Sequence, residues 1–353
     1  MTVDQSATFL NTKTNIAVLD FGLTTLKIII IDPTHPEEPL SFQTIYLPLR
    51  TKKEELEGIL KTLLRSYSDY NIRKFIITTT SSFFSSAKET IDFVIQSVTK
   101  FIQSMNILCY TIDGGYIPIE EATKTPEKVV SAGWKALGEG MWELVKKDAL
   151  IVDFSTRTTS FIPVKEGKIL SNSSSDHDRM KNNELLYYGL LETNAAFIKP
   201  KLEYKGDVFN LPFEPLAVTA DVFLITNDLP QSDYIIDTPD KKAKFKEDAI
   251  NRIRNMLCIV DACLQEEDLV EIAEQLKSHM LEEINTNIKR KLEEHNLNRV
   301  IITGSGANVL HQYLKNKMIY GELIQATDIL RSGEINPAYC IAYLYAKKMI
   351  VDG

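Results

Sequence analysis

Three short segments hold the residues that can do chemistry. In the first, Asp20 ends an apolar run and leads into Phe21-Gly22-Leu23-Thr24-Thr25, with Lys27 just beyond. In the second, Asp153 ends a similar run and leads into Phe154-Ser155-Thr156-Arg157-Thr158-Thr159-Ser160. The third is Ile302-Thr303-Gly304-Ser305-Gly306-Ala307. A carboxylate at a strand end can hold a magnesium ion, often through water, while the N–H groups and hydroxyls of a tight turn face a phosphate. Lys27 can neutralise that phosphate and Arg157 can grip it as a fork. Two glycines between a strand and a helix N-terminus let backbone approach a ligand where the helix dipole favours an anion. Asp20 and Asp153 are therefore the candidate metal pair. Gly22, Thr24, Thr25, Lys27, Ser155, Thr156, Arg157, Thr158, Gly304, Ser305 and Gly306 are the candidate cradle for a phosphate-bearing ligand such as diphosphate or ATP.

These segments need elements to position them. Residues 15–20 and 26–32 are two apolar runs joined by a short Gly/Thr turn, which predicts a β-hairpin. A third strand is expected over 41–47. Leu56, Ile59, Leu60, Leu63 and Leu64 recur at helical spacing within 51–66. A strand over 72–80, a helix over 87–104, a strand over 107–112 and a helix over 125–147 follow. Then the pattern repeats: strand 149–153, a Ser/Thr turn, strand 160–164 and a short strand 169–172. The stretch 171–183 is polar and predicts a loop, 183–196 a helix, 200–215 strand and loop, and 216–224 a strand or a helix start. Helices are expected over 241–264, 267–295, 307–315 and 336–351, with a strand over 299–303. The hairpin occurs twice about 133 residues apart, a domain-sized spacing. We expect an α/β protein of two related domains. The first would be residues 1–147, closed by helix 336–353, and the second 148–335.

Bulk properties limit the partners. The chain has 353 residues, 44% hydrophobic and 25% charged, which is ordinary globular usage. A net charge of −8 argues against general nucleic-acid binding. No apolar run approaches the ~20 residues of a membrane span, and residues 1–14 lack the pattern of a signal peptide and are expected to fray. The expected setting is cytoplasmic. The cysteines stand at 109, 258, 263 and 340 without a CxxC pair, so they predict reduced thiols, with Cys109 and Cys258 in the core. Cys258 and Cys263 lie on different faces of one predicted helix and form no pair.

The three segments, in this order and at these separations, resemble the layout of the actin, sugar-kinase and heat-shock-chaperone superfamily. More closely, the chain resembles its hydantoinase/oxoprolinase-like family, in the branch linked to tetrahydromethanopterin-dependent one-carbon metabolism. Matching stretches are Ser131-Ala132-Gly133-Trp134-Lys135-Ala136-Leu137, Glu184-Leu185-Leu186-Tyr187-Tyr188-Gly189, Thr219-Ala220-Asp221-Val222-Phe223 and the segment from Asn336 to Ala342. The resemblance implies two ribonuclease-H-like, actin-like domains that clasp a ligand between paired hairpins. It also implies a transferase that joins an aminomethylfuran diphosphate to a phenolic amine with loss of diphosphate. Glu184 or Asp221 is then the candidate base for the incoming nucleophile. The same family supports ATP-dependent hydrolases and small-molecule kinases, and a non-catalytic ligand-binding or assembly role on this fold stays open. Oligomerisation is compatible with any of them.

The chain departs from the family pattern at defined positions. Leu23 replaces a glycine of the first hairpin, Ser155 a glycine of the second, and Arg157 intrudes there. Ser82, Ser85 and Ser160 stand where the family carries acids. Among smaller candidates, Tyr187 and Tyr188 are placed to line a pocket with Glu184, and Asp113-Gly114-Gly115 can present backbone to it. His177, between Asp176 and Asp178, is expected to be a solvated loop residue.

Overall fold

The computed structural model describes residues 14–80, 84–259, 264–317, 321–330 and 334–352. The expected leader, Ser82 and Cys263 therefore lie mostly or wholly outside the described residues.

The first sheet comprises β1 (Asn15–Phe21), β2 (Thr25–Ile31), β3 (Ser41–Tyr46), β4 (Ile72–Thr79), β5 (Ile107–Tyr110) and β6 (Tyr116–Pro118), in the order β3-β2-β1-β4-β5-β6. Strands β1, β2 and β3 run antiparallel, whereas β1, β4 and β5 run parallel. The second sheet takes β7 (Ala149–Phe154), β8 (Thr159–Lys165), the short β9 (Lys168–Ile169) and β10 (Leu185–Leu186), followed later by β13 (Arg299–Thr303) and β14 (Glu322–Gln325). Its order is β10-β8-β7-β13-β14, again an antiparallel hairpin continued by parallel strands. Strands β11 (Lys201–Tyr204) and β12 (Asp207–Asn210) form a separate hairpin. Two sheets built on one plan, third-second-first-fourth-fifth, define a pair of ribonuclease-H-like halves.

Both faces of β1 and β7 and of β4 from Phe75 onward are buried, as are all positions of β2 but Lys27, so these strands are mostly apolar rather than alternating. Ala17, Leu19, Phe21, Ile28 and Ile30 face helices α1 (Leu56–Ser66) and α2 (Ala87–Thr99). Val18, Ile29 and Ile31 face the other way, into one apolar layer with Ile151, Ile162 and Val164 of the second sheet. Helix α3 (Gly133–Val145) belongs to this shared layer. Beyond the second sheet, α4 (Asp176–Lys181) precedes α5 (Thr219–Ile225), α6 (Lys246–Met256), α7 (Glu266–His295) and α8 (Ala307–Lys315). The last helix, α9 (Pro337–Asp352), returns to pack on β1, β2, β4 and α3. Helices α5, α6, α7 and α8 cover the outer face of the second sheet.

The α3–α9 crossing is close. A Cβ on Gly140 would lie 2.5 Å from Cβ of Cys340. Gly140→Ala is therefore expected to lower stability by about 1–3 kcal/mol through overpacking. A thermal melt checks this, and an unchanged melting temperature would refute it.

Three elements differ from expectation in ways that matter for the site. The helix predicted from 125 is broken: a turn at Pro126–Val129 ends, and α3 begins only at Gly133. Between them Val130 pairs with Thr79, and Ser131, at φ +60°, donates its N–H to the Thr79 carbonyl. Backbone pairing to β4 wins over helical periodicity, and it brings Ser131 and Trp134 to the end of β4. The polar stretch predicted as loop contains α4, because the Ser175 side chain caps it by accepting from the Asp178 N–H. The stretch predicted as helix 183–196 is instead β10 followed by turns, since Leu185 and Leu186 pair with Ser160 and Thr159. Cys109 and Cys340 are buried, but Cys258 is exposed, just past the end of α6 at φ +57°.

Candidate functional site

The two hairpins adopt the same turn. The Gly22 N–H donates to the Thr25 carbonyl at 2.8 Å, and the Ser155 N–H to the Thr158 carbonyl at 2.9 Å. In register, Asp20 stands opposite Lys27, and Asp153 opposite Ser160. All four line one cavity of about 160 Å³. Gly22, Leu23, Thr24 and Thr25 line it from the first hairpin, and Ser155, Thr156, Arg157 and Thr158 from the second. Thr78, Thr79 and Thr80 contribute the end of β4, Ser131 and Trp134 the start of α3, and Asp176 and Arg179 come from α4.

Burial dominates the electrostatics. The Asp20 carboxyl is pushed up to about 6 by burial; Lys27 pulls it down, while Asp153 and Glu334 add to the rise. Asp153 is likewise raised by burial, against the hydrogen bond that Ser155 Oγ donates to it at 2.5 Å and the charge of Lys27. Burial alone would lower the Lys27 ammonium, but Glu334, Asp20 and Asp153 outweigh it and hold it above its ordinary value. Lys27 is therefore a permanent cation among three carboxylates, 3.3 Å from Glu334.

Two residues of this centre were absent from the sequence-based set. Glu334 is 307 positions from Lys27, with no local pattern to mark it. Glu192 accepts from Thr24 Oγ1 at 2.8 Å and, on the same oxygen, from Arg157 at 3.4 Å, so it ties one hairpin to the other. The segment carrying it is itself pinned to the second turn, with the Leu190 and Leu191 N–H groups donating to the Ser155 and Thr156 carbonyls, each at 2.9 Å.

Other expected site residues are placed elsewhere. Asp221 is fully buried beyond the second sheet, in an ion pair with Arg252 at 2.8 Å and a hydrogen bond from Tyr234 at 2.9 Å. It does not line the cleft. Glu184 accepts from Ser171 and Ser173 hydroxyls at 2.6 and 2.7 Å, and its carbonyl accepts from Phe161 and Arg179. It braces the chain behind α4, outside the cavity lining. Gly304, Ser305 and Gly306 also lie outside that lining. The glycines serve a chain crossing: a Cβ on Gly304 would fall 2.4 Å from Asp153 Oδ1, and one on Gly306 2.3 Å from the Phe154 ring. The turn thus sets the end of β7 and fixes the Asp153 side chain. Tyr187 lines the cavity, whereas Tyr188 presents only its carbonyl, to Thr159. His177 is exposed, as expected, but it lies on α4 rather than in a loop. Gly114 and Gly115 close a turn on Thr111 away from the cavity. Ser85 sits at the start of α2, where its N–H donates to Glu89.

Among the described residues, no group of three or more His, Cys, Asp or Glu side chains is arranged to hold a metal ion. Nor is any described helix long and apolar enough to cross a membrane.

Paired hairpins on two ribonuclease-H-like sheets, with an acid on each and one cleft between them, define the structural class. Within it, the chain belongs to the hydantoinase/oxoprolinase family, whose model matches residues 78–324. A relative from Methanocaldococcus jannaschii is 31% identical over 314 residues, covering 86% of this chain and 91% of the relative. That protein is named as the synthase of a furan-2-yl methanamine bearing a (gamma-L-glutamylamino)ethyl-phenoxymethyl group. A protein of the same name from Methanococcus vannielii is 33% identical over 170 residues, covering 48% of this chain and 76% of the relative. Among solved structures, the activator of the 2-hydroxyisocaproyl-CoA dehydratase from Clostridium difficile superposes with a TM-score of 0.47 and 12% identity, covering 96% of this chain and 98% of that one.

Proposed function

We propose that the protein is a transferase of methanofuran-type cofactor biosynthesis that forms an aryl ether between a furan-bearing methylene and a phenol oxygen, with diphosphate as leaving group. The relatives' product name contains that ether. The observation that carries the proposal is the paired hairpins, with Lys27 and Arg157 among threonine and serine hydroxyls on one cavity. Such a cradle suits a departing polyanion better than a neutral substrate.

In the step itself, the methylene C–O bond to diphosphate breaks and its electron pair leaves on the diphosphate. The furan ring spreads the positive charge left on carbon. The phenol oxygen then bonds to that carbon and loses its proton. With Glu184 and Asp221 both outside the cavity, the departing diphosphate, itself a base, takes the proton. Lys27, Arg157 and the hydroxyls of the two turns hold that diphosphate as its charge develops. Leu23, where the family carries glycine, adds an apolar wall that excludes water from the carbon.

Magnesium fits the donor set. Mg²⁺ is commonly held by one or two carboxylates plus substrate phosphates, and Asp20 and Asp153 are oxygen-only donors on the same cavity. When bound, it would neutralise charge on the phosphates.

Calorimetric titration with diphosphate and with ATP, each with and without magnesium, tests the proposal, followed by mass-spectrometric detection of the ether from an aminomethylfuran diphosphate and gamma-glutamyltyramine. Diphosphate binding and ether formation are expected, and Lys27→Met should weaken diphosphate binding roughly tenfold or more. ATP consumption without ether would overturn it in favour of a kinase or hydrolase.

A further inference from the structure

One wall of the cleft carries charges that the ether-forming step does not use. Arg179 of α4 is only 3% exposed, yet it lines the cavity. Its guanidinium carbon lies 4.7 Å from the centre of the Trp134 ring. Nη2 donates to the Glu184 carbonyl at 3.2 Å. Nε is buried and has no hydrogen-bond partner among the described residues. Asp176, on the first turn of the same helix, lines the same cavity and accepts from Ser131 Oγ at 3.1 Å. Asp176 Oδ1 and Arg179 Nη1 form an ion pair at 3.6 Å.

A buried guanidinium with an unused donor is unfavourable unless something completes it. Here a carboxylate and a guanidinium stand side by side as a loose ion pair, with Asp176 further held by Ser131 and Arg179 by the Glu184 carbonyl. The complementary ligand carries an ammonium and a carboxylate on one carbon. We propose that Asp176 and Arg179 recognise the α-amino-acid end of the second substrate, with its ammonium on Asp176 and its carboxylate on Arg179. This rests on the transferase reading above. A gamma-glutamyl group is joined through its side-chain carboxyl, so both charges at its α-carbon stay free.

Three acyl tyramines separate the two contacts: gamma-glutamyl, glutaryl (no ammonium) and 4-aminobutyryl (no carboxylate). Wild-type protein is expected to bind the gamma-glutamyl compound roughly tenfold or more tighter than either analogue. Asp176→Asn should erase its advantage over the glutaryl compound alone. Arg179→Gln should erase its advantage over the 4-aminobutyryl compound alone, with Arg179→Lys as the conservative partner should Gln fail to fold. A merely structural role would weaken all three ligands together and leave the ranking intact, which would overturn the assignment. So would an Arg179 variant that loses diphosphate binding but keeps the ranking, since Arg179 would then belong to the leaving group. Calorimetry without electrophile reads this ranking independently of turnover. The crossed ranking without ether formation would leave the assignment standing and overturn the transferase. Ether formation with all three compounds bound equally would do the reverse.

Discussion

Asp20→Asn is expected to reduce ether formation by roughly 10²–10³-fold, the range seen when one preorganised electrostatic contact is removed. The same substitution should stabilise the fold at neutral pH when measured in the presence of a chelator. Asp20 is buried, and burial pushes its carboxyl up to about 6, well above the ordinary carboxylate range. The folded chain thus binds this proton more tightly than the unfolded chain. The stability that Asp20 contributes is complete below pH ~4, falls as pH rises through about 6, and is gone above it. An ionised Asp20 consequently destabilises the neutral-pH fold by about 1–3 kcal/mol, which Asn removes. Melting curves of the two proteins should separate at pH 7.5, with the variant higher, and converge near pH 4. Coincident curves at pH 7.5 would mean that the carboxylate is adequately solvated and that no strain is held at the hairpin. Activity loss together with a stability gain is what a functional carboxylate gives. A capping carboxylate at a strand end would lose stability instead.

The hairpins could be seen in the sequence because they are local. An apolar run, an acid, a small-residue turn and a second apolar run lie within about seventeen residues, and their chemistry needs only register to assemble. Hence Asp20, Lys27, Asp153 and Arg157 are legible as candidates, and the structure places all four on the cavity lining. Glu192 and Glu334 were not found because their partners lie 168 and 307 positions away. An acid in a turn carries no sign of a partner so distant. The wall formed by α3 and α4 was misjudged for a related reason. The run from 125 has helical periodicity, but pairing of Val130 and Ser131 with Thr79 breaks it and carries Trp134 to the cleft. Ser175 could have been recognised as a helix cap from its place three residues before Asp178. The serine-rich composition around it favoured a loop instead. Glu184 and Asp221 stand out only by motif resemblance, which marks a residue as distinctive without saying which side of a sheet it occupies.

Asp221 gives the largest expected stability effect. Its carboxylate caps α5 by accepting from the Val218 N–H at 3.0 Å. It also holds Arg252, itself fully buried, through Nε at 2.8 Å. Asp221→Asn leaves that guanidinium without its main counter-charge in an apolar layer, where Asp240, at 3.2 Å from Nη1, is only a partial replacement. Breaking one side of a buried pair typically destabilises by about 3–5 kcal/mol. The variant is therefore expected to melt far lower and to unfold at lower denaturant concentration. Removing both charges, as in Asp221→Leu with Arg252→Met, should recover part of the loss, because no uncompensated ion then remains. Turnover per folded molecule should stay within about twofold of wild type for Asp221→Asn, since the carboxylate has no access to the cleft. A catalytic base would behave oppositely, with normal melting and turnover reduced by roughly 10²-fold or more. That outcome would return Asp221 to the mechanism and require the layer beyond the second sheet to open during the reaction.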